Sequence, residues 1–263
     1  NASRTIESVA FDKSGTSYAT FDNASTSIGG VAISTKVATS RDGESFSMAQ
    51  DRLITGANTG IISPKGLDVA SDAGMLFVAE FNPSTPGVLI FSSCATGDVS
   101  PLMTLTPSAS ARPWDVDYDP ATDKAFVALT NGTVAIFDEV KSKWLAGMTT
   151  ISGEDRLITP ASGGTAFAAP TNIHGIDYDP TSDSLIISDV GSAADATDGK
   201  IYVINNASMA SGLTNVSVNI AGPASQLGNP VDIMYTGSHL YVAEKSNGLV
   251  MRFDNILNSP GGD

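Results

Sequence analysis

Five chemically unlike residues stand at one recurring place in this chain. Glu7, Lys65, Trp114, His174 and Asn229 each lie three positions ahead of an equivalent strand residue, namely Ala10, Asp68, Asp117, Asp177 and Asp232. A position that serves structure alone should be small and uniform. A carboxylate, an ammonium, an indole, an imidazole and an amide at one position instead describe the wall of a small polar pocket. Ordinary variation of loops at a solvated rim produces the same mixture, and that is the competing reading. The second set, Asp68, Asp117, Asp177 and Asp232, is uniform. Carboxylates on an inner strand are costly to bury unless they accept hydrogen bonds or meet a cation. Repetition from copy to copy favours a structural part, in which each carboxylate caps N–H groups of the neighbouring copy. The sharper alternative is a carboxylate ring that holds Ca2+ or another divalent cation through oxygen ligands.

Other chemistry is poorly supplied. His174 is the one histidine placed to act as a base, because His239 lies in the hairpin turn TGSH, and no G-x-S-x-G elbow accompanies it. One cysteine and two distant histidines cannot close a zinc site. No glycine-rich phosphate cradle leads from a strand into a helix. Cys94, on the third strand of its repeat, reads as a small buried hydrophobe. Asp189, Asp195 and Asp198 in DVGSAADATDGK miss the calcium-loop spacing and read as a solvated insertion. The DPxxD segments, Asp119–Asp123 and Asp179–Asp183, read as turns in which proline fixes φ and aspartate bonds its own backbone.

The elements that must carry these residues are strands. Five segments align with few or no gaps: IESVAFDKSGTSYAT, GLDVASDAGMLFVAE, WDVDYDPATDKAFVAL, GIDYDPTSDSLIISD and VDIMYTGSHLYVAE. Each is two short apolar runs joined by a turn rich in Asp, Pro, Gly, Ser and Thr, which is a β-hairpin signature. The equivalent residues recur at intervals of 58, 49, 60 and 55. A third run follows each hairpin (IGGVAIS, GVLIFSS, GTVAIFD, GKIYVIN, GLVMRFD), and a fourth follows the first four copies (DRLITG, PLMTLTP, DRLITP, NVSVNIAG). Four strands per repeat of this length predict the blades of a β-propeller. The expected fold is therefore all-β, a single propeller domain over 1–263, with blades near 1–62, 63–107, 108–169, 170–223 and 224–263. Five blades are expected, with a sixth, degenerate blade as the alternative. The last copy has three strands, and residues Asn1 to Thr5 are expected to supply its outer strand.

Segments such as SCATGDVSPLMTLTPSASARPWDVDYD and DRLITGANTGIISPKGLDVASDAGMLFVAE resemble the NHL and YVTN-type bacterial propeller repeats. In those, proline or glycine precedes the innermost strand and an "LYVA"-like second strand follows. The resemblance spans nearly the whole chain and implies the fold, while propellers of this kind host binders, scaffolds, lyases and hydrolases alike. More distantly, the chain is similar to the gluconolactonase-type propellers, which hold a divalent cation at the axis with Glu, Asn and Asp. Glu7 matches their glutamate and Asn229 partly fits. Lys65, Trp114 and His174 depart from the expected ligands.

Composition narrows the partners. The formal net charge is −14, from 28 acidic and 14 basic residues, and no basic stripe interrupts it. Such a field repels phosphate backbones, so nucleic acid and anionic membrane surfaces are poor partners. No apolar run approaches the roughly 18 residues of a membrane-spanning helix. Abundant Ser, Thr, Asn and Gly with scarce Lys point to an extracytoplasmic protein whose signal peptide is not part of this chain. The reading is an extracytoplasmic, non-enzymatic propeller, a small-ligand or protein-binding or scaffold module that requires no cofactor. The alternative is a divalent-metal-dependent hydrolase or lactonase with its metal at the propeller axis.

Overall fold

The computed structural model describes residues 5–22, 28–35, 37, 51–108 and 111–263. Five antiparallel sheets form a ring, and each is one blade of a five-bladed β-propeller. The innermost strands are Thr5–Phe11, Pro64–Ala70, Pro113–Asp119, Ile173–Asp179 and Pro230–Tyr235. Blade I continues outward through Ser17–Asp22, Gly30–Ser34 and Arg52–Thr55, and blades II to IV repeat that order. Blade V has three strands, ending at Leu249–Asp254. Thr5 opens the inner strand of blade I, and residues 1–4, expected to lend blade V its outer strand, lie outside the described residues. The described residues form no sixth blade.

Burial explains why the middle strands read as unbroken apolar runs. Each sheet in the body of the ring is covered on both faces, so all six residues of Met75–Glu80 are buried, as are those of Ser184–Asp189. A half-covered sheet would alternate instead. Four apolar clusters fill the joints between blades I and II, II and III, III and IV, and IV and V. No such cluster joins blade V to blade I among the described residues. There Val9, Phe11, Met234, Tyr241 and Val250 remain exposed, and the strand His239–Glu244 alternates between buried and exposed positions. The ring is thus packed at four joints and open at the fifth.

The repeated D-Y-D-P-x-x-D segments show how one blade grips the next. The Tyr118 ring stacks on Phe77 of blade II at 4.5 Å, and Tyr178 stacks on Phe126 of blade III at 4.4 Å. Their hydroxyls donate to the turn residues Asp123 and Asp183 at 2.8 and 2.9 Å. Asp119 bonds its own turn through the Ala121 and Thr122 N–H groups. Asp123, however, reaches onward to the N–H groups of Lys141 and Ser142 in the short helix Val140–Leu145. These turns therefore fasten neighbouring segments as well as closing hairpins.

A second fastening runs round the periphery and has no counterpart in the sequence reading. A segment of each later blade pairs in parallel with the outer strand of the blade before it. Thr150–Ser152 joins Met103–Thr106, and Gly212–Asn215 joins Arg156–Ser162. Single bridges link Ile54 to Gly97 and Ile220 to Gly262. Segments this short carry no periodicity to recognise. Cys94 also departs from expectation. It lies beyond the third strand, Gly87–Ser92, in an exposed turn, where its N–H donates to Ser92 Oγ.

Candidate functional site

The inner strands run from the variable residue at one mouth of the ring to the aspartate deeper along the axis. At the mouth the structure brings four of the five variable residues into one contact chain. Lys65 Nζ lies 3.0 Å from Glu7 Oε2 and 5.4 Å from the centre of the Trp114 ring. The other face of the mouth cluster is closed by His174, whose imidazole stacks on Trp114 at 3.5 Å with planes 5° apart. Asn229 shares with Trp114 and His174 a cavity of about 500 Å³, further lined by Phe81, Arg112, Asn172, Val231 and Lys245. Glu7 and Lys65 line a separate gap of about 10 Å³ beside Trp114, room for roughly one water.

His174 is 5 % exposed, and both its ring nitrogens are buried without a hydrogen-bond partner. Asn172 Oδ1 and Asn229 Oδ1 are buried and unpartnered in the same cavity. Burial, together with the Lys245 and Lys65 ammonium groups, pushes the imidazole down to about 3, so it is neutral at ordinary pH. A neutral imidazole offers one N–H donor and one acceptor.

Carboxylates at the ends of the second strands hold these mouth residues in place, and the sequence reading missed them. Glu80 accepts the N–H groups of Ile62, Ser63 and Asn82 at 2.8, 2.9 and 2.9 Å, fixing the loop that delivers Lys65. Asp189 accepts Asn172 N–H at 2.7 Å and Gly191 N–H at 2.8 Å, ahead of His174. Glu244 accepts the N–H groups of Gly228, Asn229, Ser246 and Asn247. Burial raises Glu80 and Asp189, whereas at Glu244 the four N–H groups outweigh burial and hold the carboxyl low. Asp189 thus belongs to this set of buried clamps rather than to a solvated insertion. Asp195 and Asp198 do bond their own turn, through Thr197 and Ser192. The acid ending LFVAE, LIISD and LYVAE was the available signal. The residue after it is chemically mixed as well, and Phe81, Thr130 and Lys245 from that position all line the cavity.

Deeper along the axis, the repeated aspartates form a ladder. Asp68 Oδ2 accepts Tyr118 N–H at 3.0 Å, Asp117 accepts Tyr178 N–H at 2.5 Å, and Asp177 accepts Tyr235 N–H at 2.6 Å. Each carboxylate therefore bonds the inner strand of the next blade. At the open joint, Asp232 receives a hydroxyl hydrogen bond from Ser8 Oγ at 2.9 Å in place of a backbone N–H. Asp115 is a fifth member, which accepts Val116 and Ile176 N–H groups and packs against Gly66, where a Cβ would collide with it. These carboxylates, with Val9, Phe11, Met234, Tyr241 and Val250, line a second cavity of about 530 Å³ at the open joint. Burial raises all five, Asp68 to about 6 and Asp177 to about 7, and repulsion from neighbouring carboxylates adds to it at Asp115, Asp117 and Asp177.

A divalent cation fits neither set as it stands. The Glu7 carboxylate is taken by an ammonium, the ladder carboxylates are directed at N–H groups, and among the described residues no three His, Cys, Asp or Glu side chains group as metal ligands. No described helix is long and apolar enough to cross a membrane.

No protein-family model and no curated protein matches the chain. Solved structures do. A β-propeller in a crystal structure of a nidogen/laminin complex superposes with a TM-score of 0.58 at 13 % identity, over 97 % of this chain and 78 % of that one. The likeness carries the fold, and the chain is a repeat protein of the β-propeller class.

Proposed function

We propose that this chain is an extracytoplasmic, non-enzymatic propeller of the NHL/YVTN type that works as a binding module, taking a small ligand at its axial mouth. One observation carries the reading. Four buried polar atoms, on His174, Asn172 and Asn229, three residues that line a single cavity, have no partner in the protein. Leaving a buried donor or acceptor unsatisfied costs about 1–3 kcal/mol. A ligand that supplies the partners recovers that free energy, and the second-strand carboxylates already hold the loops in register for it. The propeller in the nidogen/laminin crystal structure comes from a protein complex, which supports a binding part in general terms. Catalysis draws less support, because the stacked imidazole has no carboxylate or hydroxyl within hydrogen-bonding distance to make it a base.

Ligand-observed NMR with a library of neutral and charged fragments tests this. Hits at the mouth should vanish in Trp114→Ala and His174→Ala and persist in the peripheral Lys13→Ala, with circular dichroism unchanged throughout. Hits that ignore both mouth substitutions would refute the assignment. The metal-dependent hydrolase reading rests on Glu7, with Asn229 as a partial fit. Stoichiometric divalent metal after gentle purification, lost in Glu7→Gln, would favour it instead.

A further inference from the structure

Resting on the mouth as a ligand site, we propose that it takes a small flat organic acid that carries O–H donors. The carboxylate would lie between Arg112 and Lys245, and the O–H groups would meet the amide oxygens of Asn172 and Asn229. Three features of the cavity select this chemistry, and each removes a competing class.

The first is charge. In a chain of net charge −14, the charged side chains lining this cavity are Arg112 and Lys245, both cations. Among the described residues neither makes an ion pair, whereas Lys65 beside them is neutralised by Glu7. A cationic ligand is repelled here. Arg112 is also pre-set, because its guanidinium carbon lies over the Phe81 ring, 3.7 Å from its centre, and a guanidinium held there matches a carboxylate as a fork.

The second is the acceptor set. The oxygens of Asn172 and Asn229 need donors, and one nitrogen of the neutral His174 needs a donor as well. A bare anion without O–H groups, such as sulfate, would satisfy the cations and leave those acceptors unpaired. A hydroxylated acid satisfies both.

The third is shape. Trp114 packs edge to face with Phe81 at 5.2 Å and face to face with His174, and Val231 completes an apolar flank. A flat body packs against such a flank better than a flexible chain, which would lose more rotamer freedom on binding.

Isothermal titration calorimetry with 3,4-dihydroxybenzoate tests the proposal, against its uncharged counterpart 3,4-dihydroxybenzyl alcohol and inorganic sulfate. The acid should bind at least about tenfold more tightly than either. Arg112→Gln and, separately, the exposed Lys245→Gln should each remove about tenfold of that preference, weakening the acid far more than the alcohol. Acid and alcohol binding alike, both lost in Trp114→Ala, would overturn the ligand class and spare the mouth as a site. Binding of either that ignores Trp114→Ala would overturn both. Sulfate binding as tightly as the acid would refute the donor requirement, and no binding of the acid would refute the class outright.

Discussion

Replacing Asp177 by asparagine should make this protein more stable at pH 8 and leave it little changed at pH 4. Asp177 belongs to five carboxylates gathered round the axis with no cation among the residues that line their cavity. Burial first, and then the charges of Asp68, Asp179 and Asp232, lift it from 3.8 to about 7. A carboxyl raised in the folded state holds its proton where the unfolded chain has released it. Its contribution to stability is therefore complete below about pH 4 and is lost as pH rises through about 7. Three pKa units at about 1.36 kcal/mol each set a ceiling of roughly 4 kcal/mol for this one group. Relaxation of the ring on losing one charge reduces that, and about 1–3 kcal/mol is expected. Asparagine keeps an oxygen for the Tyr235 N–H that Asp177 now accepts at 2.6 Å, so the blade IV–V bond survives while the charge is removed. Urea unfolding of wild type and Asp177→Asn at pH 4, 6 and 8 measures the difference. Wild-type stability should fall across that range and the variant's should fall less. If Asp177→Asn destabilises equally at pH 4 and pH 8, the carboxylate charge carries no penalty and the ladder electrostatics argued above are wrong.

Four further outcomes are expected. Glu244→Ala frees four backbone N–H groups at the mouth and should cost about 2–4 kcal/mol in urea unfolding, with Glu244→Gln costing less. His174 should remain neutral down to about pH 4 in an NMR titration of its ring protons, because burial with Lys245 and Lys65 holds it near 3; a midpoint near 6.5 would show that the stacked, buried site does not form. Asp138 is bonded by Lys124 at 2.7 Å and by Arg156 at 2.6 and 2.8 Å, which outweigh its burial and hold it low, so Asp138→Asn should cost about 1–2 kcal/mol at pH 7 and progressively less as pH falls below the ordinary carboxylate range. Phe11→Ser with Val250→Ser should reduce binding of a hydrophobic dye without lowering stability by more than about 0.5 kcal/mol, since both side chains are exposed at the open joint.

The blade strands were legible because a sheet covered on both faces must be apolar along its length. Runs such as MLFVAE and KAFVAL bury nearly every residue, and the gaps between them carry turn residues. In the last blade HLYVAE reads as apolar as its counterparts and alternates only in burial, while LVMRFD departs in sequence by placing Arg252 where the others have an apolar residue. At the mouth, Trp114, His174 and Asn229 were found by one criterion, a chemically mixed residue at a repeated position. The same criterion applied after the second strand would also have found Phe81 and Lys245. Arg112 and Asn172 had no such signal, because each is a loop residue whose meaning depends on what stands across the axis.

The order of the blade strands, the hairpin turns and the recurring aspartates follow from this sequence alone, because side-chain periodicity and turn chemistry act over a few neighbouring residues. Which groups share a cavity was decided by the ring. Closing four joints placed a tryptophan against a histidine 60 residues away, joined Glu7 to Lys65, and gathered two cations and two asparagines with unpaired amide oxygens round one cavity. The chain is strongly acidic and its mouth is lined by cations, because net charge is summed along the sequence while a local field depends on distance in space.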